Sequence, residues 1–163
     1  MSLVSIAIVA HDNWPDLELA IESALCQSWP DIEVIVVDND SIDGTEAGVL
    51  RRFEGRVRYV RQPNTLDGGG YNRGIAEARG EFIQLLDGDD FLAPNKIALQ
   101  LEVFTQQPGA DIVYGDTRQF QGRAGRPLWA DWDTRQETDM LATLLDPAGA
   151  GAGLVLHSTL FRR

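Results

Sequence analysis

Residues 83–90 are Ile83-Gln84-Leu85-Leu86-Asp87-Gly88-Asp89-Asp90, four mostly apolar residues followed by three carboxylates and a glycine. Such a run is typical of a strand buried in a parallel sheet with both faces covered by helices. Because an apolar core cannot neutralise carboxylates, we expect Asp87, Asp89 and Asp90 at the strand's carboxyl end, where open α/β sheets bind ligands. Gly88 would let the backbone turn sharply between them. Oxygen ligands at that site favour Mg²⁺ or Mn²⁺.

An acidic turn without a ligand is the alternative interpretation of this stretch. Asp and Gly are common turn residues, and a helix is predicted directly after Pro94, where an acidic residue would be a suitable cap. Taken alone, residues 87–90 favour this turn over a metal site. The neighbouring segments are therefore needed to decide between the two interpretations.

The composition predicts one globular domain whose main partner is not nucleic acid. The 163 residues are 44% hydrophobic, and 14 Lys and Arg against 25 Asp and Glu leave a net charge of −11. This charge also argues against an anionic membrane surface, whereas a divalent cation can still bridge acidic residues to a diphosphate. No apolar run approaches the about 20 residues of a membrane span. With Cys26 alone no internal disulfide can form, so we expect a cytoplasmic protein.

Two further apolar runs predict buried strands that end in polar residues. Residues 3–10 lead into His11-Asp12-Asn13, and residues 32–37 lead into Asp38. Between them, residues 16–28 have apolar side chains at helical spacing and should cover one face of the sheet. Asp38 ends its strand without an obvious local partner. Its carboxylate could therefore accept hydrogen bonds from a nucleotide base.

An EF-hand calcium loop is an alternative for the acidic segment that begins at Asp38. Its spacing fails, because Asp43 stands where that loop needs glycine and Val49 where it needs glutamate. We assign Asp43 a structural role instead. Asp is a preferred helix N-cap, and Glu46 follows three residues later as in a capping box.

A glycine-rich segment, Gly68-Gly69-Gly70, opens a helix that the pattern extends to Gly80. Backbone N–H groups of such a loop and the start of its helix could lie close to a phosphate. A flexible turn is the alternative, and the glycine spacing excludes the dinucleotide-binding fingerprint. The elements predicted further along are a third strand at residues 57–60, a helix at 94–108, a strand at 110–114, a loop or hairpin at 119–126, a short helix at 138–145 and a last apolar stretch at 154–161.

These motifs, in this order, resemble the inverting glycosyltransferases of family 2, which have the GT-A fold. The most specific match is residues 36–45, which are similar to the family's Val-Val-Asp-Asn-x-Ser-x-Asp-Gly-Thr. Residues 87–90 resemble its Asp-x-Asp-Asp, and Cys26-Gln27-Ser28-Trp29-Pro30 resembles its Ala-Gln-Thr-Tyr-Pro. His11-Asp12-Asn13 is similar to its Thr-Tyr-Asn type motif. The resemblance covers nearly the whole chain.

The resemblance implies an α/β domain with a Rossmann-like, mostly parallel sheet and helices on both faces. Residues 1–163 would be a single nucleotide-sugar-binding domain, with a nucleotide-binding core at 1–118 and the start of an acceptor-side region at 119–163. In the family the first Asp of the strand motif reads the donor's base, one Asp of the acidic motif contacts the ribose and a later one holds the metal. The residues implied here are, for the nucleotide, Ala10, Asp12, Asp38, Asn72, Asp87 and Gly88, and, for Mn²⁺ or Mg²⁺, Asp89 and Asp90.

The chain departs from the family pattern at two places. Residues 70–74 are Gly-Tyr-Asn-Arg-Gly where many relatives have Ala-Arg-Asn-x-Gly, so Tyr71 replaces an arginine expected near the donor, and Arg73 is a candidate substitute. The triple glycine is closer to the sequence of rhamnosyltransferase-like members. Both UDP-sugars and dTDP-sugars therefore remain candidate donors. In the family, the acidic motif that supplies the catalytic base follows the strand that resembles residues 160–163. We therefore expect a donor-binding part without its base, because the downstream residues Asp116 and Asp131 do not match the base position. His157 could approach the donor site from the final strand, although a structural role is the safer prediction.

The implied activity is the metal-dependent transfer of a sugar, with inversion, from a UDP- or dTDP-sugar to an acceptor hydroxyl. The implied acceptor is a saccharide or a lipid-linked saccharide of a cell-envelope polysaccharide, reached at the inner face of the membrane. If the acceptor-binding part is missing, an apolar surface would be exposed, and this surface could bind the same surface of a second copy in a homodimer. The alternatives are a nucleotide-sugar-binding module without catalysis and a sugar nucleotidyltransferase. The latter should carry a glycine-rich loop with Lys or Arg where this chain has residues 11–15.

Overall fold

The computed structural model describes residues 1–65, 68–115, 117 and 156–163. In these ranges one six-stranded sheet forms the centre of the molecule, with the strand order β3-β2-β1-β4-β6-β5. Its strands are β1 (Val4–Ala10), β2 (Ile32–Asn39), β3 (Arg58–Gln62), β4 (Phe82–Asp87), β5 (Ile112–Val113) and β6 (Leu160–Arg162). The helices are α1 (Asp16–Leu25), α2 (Thr45–Phe53), α3 (Gly69–Glu77) and α4 (Lys96–Gln106), with a short 3₁₀ helix at Leu156–Ser158.

The first four strands are parallel, and the last two are not. β1 lies between β2 and β4, with Ala10 opposite Asp38 and Val9 opposite Asp87. β6 runs antiparallel to both β4 and β5. The predicted α/β architecture with a mostly parallel sheet is confirmed, and the chain's last described strand lies inside this sheet.

Helices cover both faces of the sheet, as predicted. Alternate residues of β1 point to opposite faces, and Ile6 and Ile8 belong to the larger core cluster together with residues of α1, α2 and α4. Ala7 belongs to a second cluster, against which Tyr71 and Ile75 of α3 pack. The sheet is thus buried between three helices on one face and α3 on the other.

Helix α3 approaches the sheet closely because two of its glycines face the strands. A Cβ added at Gly74 would lie 2.7 Å from Ala7 Cβ, and one added at Gly70 would be 2.5 Å from Val9 Cγ1. Real Cβ atoms do not pack this tightly, so α3 could not keep its position with larger residues there. The spacing of the two glycines holds the start of α3 against the carboxyl end of β1.

Replacing Gly74 by Ala should therefore destabilise the protein by about 1–3 kcal/mol, because the added methyl group overpacks the contact with Ala7. Urea denaturation of the variant and the unchanged chain measures the difference. Gly109→Ala is the matched control, since a Cβ there meets nothing within 4 Å. A Gly74→Ala variant as stable as the Gly109→Ala variant would contradict the close packing of α3.

Several predicted boundaries differ from the observed ones. α1 ends at Leu25 rather than at residue 28, and α3 ends at Glu77 before Gly80. β5 has two residues instead of five, and within the described ranges its partner is β6. The features predicted at residues 119–126 and 138–145, and the candidates Asp116 and Asp131, lie outside the described residues. The division of the domain at residue 118 therefore stays a prediction.

The capping box predicted for α2 is wrong, although Asp43 does have a structural role. The cap position is Gly44, in the left-handed conformation with φ 92°. Asp43 Oδ1 accepts hydrogen bonds from the backbone N and the hydroxyl of Thr45, while Oδ2 accepts one from Trp14 N at 2.9 Å. Glu46 instead forms an ion pair with Arg61 at 3.2 Å. Asp43 thereby ties the loop after β1 to the start of α2.

No helix in the described part of the chain is both long enough and apolar enough to cross a membrane.

Candidate functional site

The polar ends of β1, β2 and β4 meet at one edge of the sheet. Ala10 is paired with Asp38, and Asp87 is the last residue of β4, paired with Val9. The acidic turn follows β4 directly, and Gly88 N donates a hydrogen bond to Val9 O at 2.8 Å. These predicted site residues thus lie at the carboxyl edge of a parallel sheet, where open α/β sheets bind ligands.

Gly88 is needed for its size rather than for a special backbone conformation. Its φ lies outside the left-handed region, so the turn does not depend on glycine's freedom, as the sequence had suggested. A Cβ added there would lie 2.9 Å from Val9 O and would also overlap the side-chain amide of Asn13. Only glycine therefore allows the acidic turn to contact the loop after β1.

Asp87, Asp90 and His157 form a group that could hold a metal ion. One ligand atom from each lies within 4.8 Å of the others, and all three side chains are half-buried. His157 Nδ1 lies 2.7 Å from Asp90 Oδ2, and this neighbouring carboxylate raises the pKa of His157 above its ordinary value. Asp89 is exposed and lies outside the group, so its predicted role as a metal ligand stays a prediction.

The donor set of this group fits a divalent cation, and Mn²⁺ better than Mg²⁺. Carboxylate oxygens suit both ions, whereas Mg²⁺ prefers oxygen ligands alone, so an imidazole favours Mn²⁺. His157 Nδ1 is buried and makes no well-directed hydrogen bond within the described residues, although Asp90 is close. A cation bound by His157 and Asp90 would give this nitrogen a partner.

His157 reaches the acidic turn because of the antiparallel pairing of β6 with β4. The pairs are Phe82 with Arg162 and Ile83 with Phe161. The 3₁₀ helix that precedes β6 therefore lies beside β4, and its residue His157 contacts Asp90. From sequence alone a structural role was the safer prediction for His157, because nothing local links it to residues 87–90.

Tyr71 binds the carboxylate of Asp87, to which the family resemblance gives the role of contacting the ribose. Its hydroxyl donates a hydrogen bond to Asp87 Oδ1, and burial together with this bond raises the pKa of Tyr71. Arg73, the candidate substitute for the arginine expected here, forms an ion pair with Glu77 at 2.8 Å, and its role as a substitute stays a prediction. Asn72, the neighbouring predicted nucleotide-binding residue, is exposed on α3. A neutral hydroxyl group therefore stands where the family resemblance implies an arginine.

Asp38 is fully buried and has three hydrogen-bond donors, so the prediction that it lacks a local partner is wrong. Its Oδ1 accepts from Ser41 N at 2.8 Å and from Ser41 Oγ at 2.5 Å. Its Oδ2 accepts from the Tyr59 hydroxyl, and burial together with Asp38 raises the pKa of Tyr59. Ser41, three residues after an Asp, was a local signal for a turn, whereas Tyr59 comes from β3. The base-reading role of Asp38 stays a prediction.

His11 and Asp12 add to the contacts between the loop after β1 and the loops after β2 and β3. Asp12, with φ 47°, accepts a hydrogen bond on Oδ1 from Ile42 N at 2.6 Å. His11 Nδ1 lies 2.8 Å from Asn39 O, and its Nε2 lies 3.2 Å from Asn64 Nδ2. These contacts preorganise the same edge on which a nucleotide base is predicted to bind.

An open, mostly parallel α/β sheet with carboxylates at its carboxyl edge is typical of α/β domains that bind a ligand at that edge. The family model "Glycosyl transferase family 2" matches residues 5–163, and the chain belongs to this family. An uncharacterized glycosyltransferase of Rickettsia typhi is 34% identical over 166 residues, covering 99% of this chain and 52% of the relative. The succinoglycan biosynthesis protein ExoO of Rhizobium meliloti is 38% identical over 100 residues, covering 61% of this chain and 29% of that protein.

Solved structures share the fold. The structure of S. aureus TarS 1–349 has a TM-score of 0.68 and 22% identity, covering 98% of this chain and 47% of TarS 1–349. The mannosyltransferase PcManGT from Pyrobaculum calidifontis, solved with GDP-Man and Mn²⁺, has a TM-score of 0.63 and 22% identity, covering 72% of this chain and 36% of PcManGT. The chain spans about half the length of the Rickettsia typhi relative and 19% of a similar glycosyltransferase of Rickettsia felis.

Proposed function

We propose that this chain forms the donor-binding part of a glycosyltransferase that moves a sugar, with inversion, from a nucleoside diphosphate sugar to an acceptor hydroxyl. The observation that carries the proposal is the group of Asp87, Asp90 and His157 at the carboxyl edge of the sheet. In this function Asp90 and His157 hold Mn²⁺, or Mg²⁺, and Asp87 contacts the ribose. When bound, the cation would neutralise the charge that develops on the leaving diphosphate.

The chain's own residues supply the rest of the donor site. Tyr71 orients the Asp87 carboxylate, Gly88 keeps the acidic turn close to β1, and Asp12 fixes the loop beside the base. The start of α3 lies on the opposite face from α1, and within the described residues no side chain caps it, so its first backbone N–H groups can bind a phosphate. Asp38 supports the base-binding loop from beneath, through Ser41 and Tyr59.

Similar proteins support the choice of donor and acceptor class. TarS structures contain UDP and UDP-GlcNAc, and PcManGT contains GDP-Man with Mn²⁺. Relatives named for succinoglycan biosynthesis and as chondroitin synthase support a saccharide or lipid-linked saccharide as the acceptor. For this chain we propose a UDP- or dTDP-sugar donor, and a cytoplasmic reaction at the inner face of the membrane.

Calorimetric titration of the chain with UDP, dTDP and GDP, each with and without Mn²⁺, tests the proposal. We expect binding of one pyrimidine nucleotide that depends on Mn²⁺ and is lost when the ion is chelated. Failure of all three nucleotides to bind in the presence of Mn²⁺, or binding that is indifferent to the ion, would contradict the proposed donor site. Binding followed by no sugar transfer to any saccharide acceptor would instead favour the binding-module alternative.

Manganese binding should weaken as the pH falls, because protons and the cation compete for the imidazole of His157. The Asp90 carboxylate raises the pKa of His157, so the competition should begin at a higher pH than for an ordinary histidine. Titrations of Mn²⁺ followed by electron paramagnetic resonance between about pH 8 and about pH 5.5 cover this range. In the His157→Gln variant the affinity for Mn²⁺ should be lower. The decrease in affinity that protonation of the imidazole causes should be absent from its pH profile. An unchanged pH profile in that variant would remove His157 from the site.

A further inference from the structure

A buried polar network lies behind the 3₁₀ helix that carries His157. Gln84 of β4 is fully buried, and its side-chain Nε2 donates a hydrogen bond to the backbone oxygen of His157 at 3.0 Å. Gln100 of α4 is also buried, and its Nε2 donates to the backbone oxygen of Ser158 at 2.9 Å. Two amides from different elements therefore bind two consecutive carbonyl groups of this short segment.

Lys96 joins the two amides. Its Nζ donates to Gln100 Oε1 at 2.6 Å and also to Gln84 Oε1. An ammonium has only donors, so both amide oxygens must face Lys96 and both amide NH₂ groups must face the backbone carbonyls. Lys96 therefore determines the orientation of the side chains that hold residues 157 and 158.

The network persists in both protonation states of the lysine. Burial lowers the pKa of Lys96 to about 7. A neutral amine still has two N–H donors, one for each amide oxygen, so Gln84 and Gln100 stay satisfied. Buried polar groups that are all paired are rigid, because breaking any one bond leaves a costly unsatisfied group.

We infer that Lys96, through Gln84 and Gln100, is a positioning residue that holds the backbone of the 156–158 segment so that His157 reaches Asp90 and the metal. This inference rests on the proposed metal role of His157. Lys96 does not itself contact Asp87, Asp90 or the His157 ring in any bond of the described structure; it acts through carbonyl groups behind the ring.

Replacing Lys96 by Met tests the inference, because Met keeps much of the volume and removes the donors. We expect Mn²⁺ affinity to fall about 10- to 100-fold, the range for residues that orient a metal ligand. Electrostatics alone predicts no such loss, since removing a cation near the site would strengthen the binding of another cation. Leu101→Ala is the control for general loss of stability, because Leu101 is a buried residue of the same helix without a bond to the network. It should leave Mn²⁺ affinity unchanged.

A double-mutant cycle with His157→Gln shows whether Lys96 acts through His157. In the His157→Gln background, Lys96→Met should have no further effect on Mn²⁺ affinity. An equal loss in both backgrounds, or no loss in either, overturns the inference. If His157→Gln alone leaves Mn²⁺ affinity unchanged, the proposed metal site fails instead, so the two failures are distinguishable. Should Lys96→Met not fold, Gln84→Met provides the same test, because it removes the amide that links Lys96 to the His157 carbonyl while keeping the lysine and its bond to Gln100.

Discussion

Replacing Asp90 by Asn should lower manganese-dependent nucleotide binding by at least about 100-fold, more than the loss of a residue that only orients a metal ligand. Asn keeps the size of the side chain but removes the negative charge that faces His157 at 2.7 Å. Because the cation would link the protein to the diphosphate, losing the ion should also lose most of the affinity for the nucleotide. Calorimetry with Mn²⁺ and UDP or dTDP measures both effects.

Two matched variants show whether the loss of affinity is specific to Asp90 or follows from removing any nearby carboxylate. Glu81→Gln removes one exposed carboxylate just before β4, at the end of the strand far from the acidic turn, and should change nothing. Asp89→Asn tests the ligand pair predicted from sequence against the group of Asp87, Asp90 and His157, from which Asp89 is absent. A large loss in Asp89→Asn with normal binding in Asp90→Asn would show that the cation is held by the exposed carboxylate.

Replacing Asp38 by Ala should destabilise the protein by about 3 kcal/mol, because a buried carboxylate with charge-assisted hydrogen bonds is lost and its donors remain buried. Those donors are the backbone N and hydroxyl of Ser41 and the hydroxyl of Tyr59. Nucleotide binding should weaken as well, since the loop after β2 loses its support. Urea denaturation followed by circular dichroism gives the stability difference.

Asp40→Asn is the control for Asp38→Ala. Asp40 is exposed and forms a surface ion pair with Arg61 at 2.8 Å, a type of contact worth at most about 1 kcal/mol. Its φ of 65° suits Asn as well as Asp. An Asp38→Ala variant that keeps its stability but no longer binds nucleotide would show that Asp38 faces the ligand rather than the interior of the protein.

The sheet could be predicted because each long strand has a local signal. Apolar runs ending in polar residues identified β1, β2 and β4, and the rule that ligands bind at the carboxyl ends of parallel strands placed Asp38 and Asp87 at the same edge. The helical spacing of apolar residues likewise identified α1 and α4. These signals lie within a few residues of the feature they predict.

The parts that were missed depend on contacts between distant segments. The partner of Asp38 on β3, Tyr59, becomes visible only once β2 and β3 are paired. His157 joins the acidic turn only because β6 inserts between β4 and β5 in an antiparallel register, which no local pattern indicates. The importance of Gly88 was predicted, but the reason given was its backbone conformation. The structure instead requires glycine there because a side chain would collide with the carbonyl oxygen of Val9 on the neighbouring strand.

The buried network of Lys96 was invisible in the sequence for the same reason. Lys96 and Gln100 lie one turn apart on α4, where a lysine and a glutamine normally face the solvent. Gln84 stands inside an apolar strand, and its partners are the backbone groups of residues 157 and 158. A polar residue in a buried strand could have been the signal to search for such a partner.

The most direct test of the metal-dependent donor site is nuclear magnetic resonance of the ¹⁵N-labelled chain during titration with Mn²⁺ in the presence of UDP or dTDP. A paramagnetic ion broadens signals according to distance, so the amides of Gly88, Asp90 and His157 should broaden first. The amide of Glu81, at the other end of β4, should stay sharp. First broadening around Glu81, or uniform broadening of all exposed carboxylate-bearing segments, would show that the chain has no specific cation site at the carboxyl edge of its sheet.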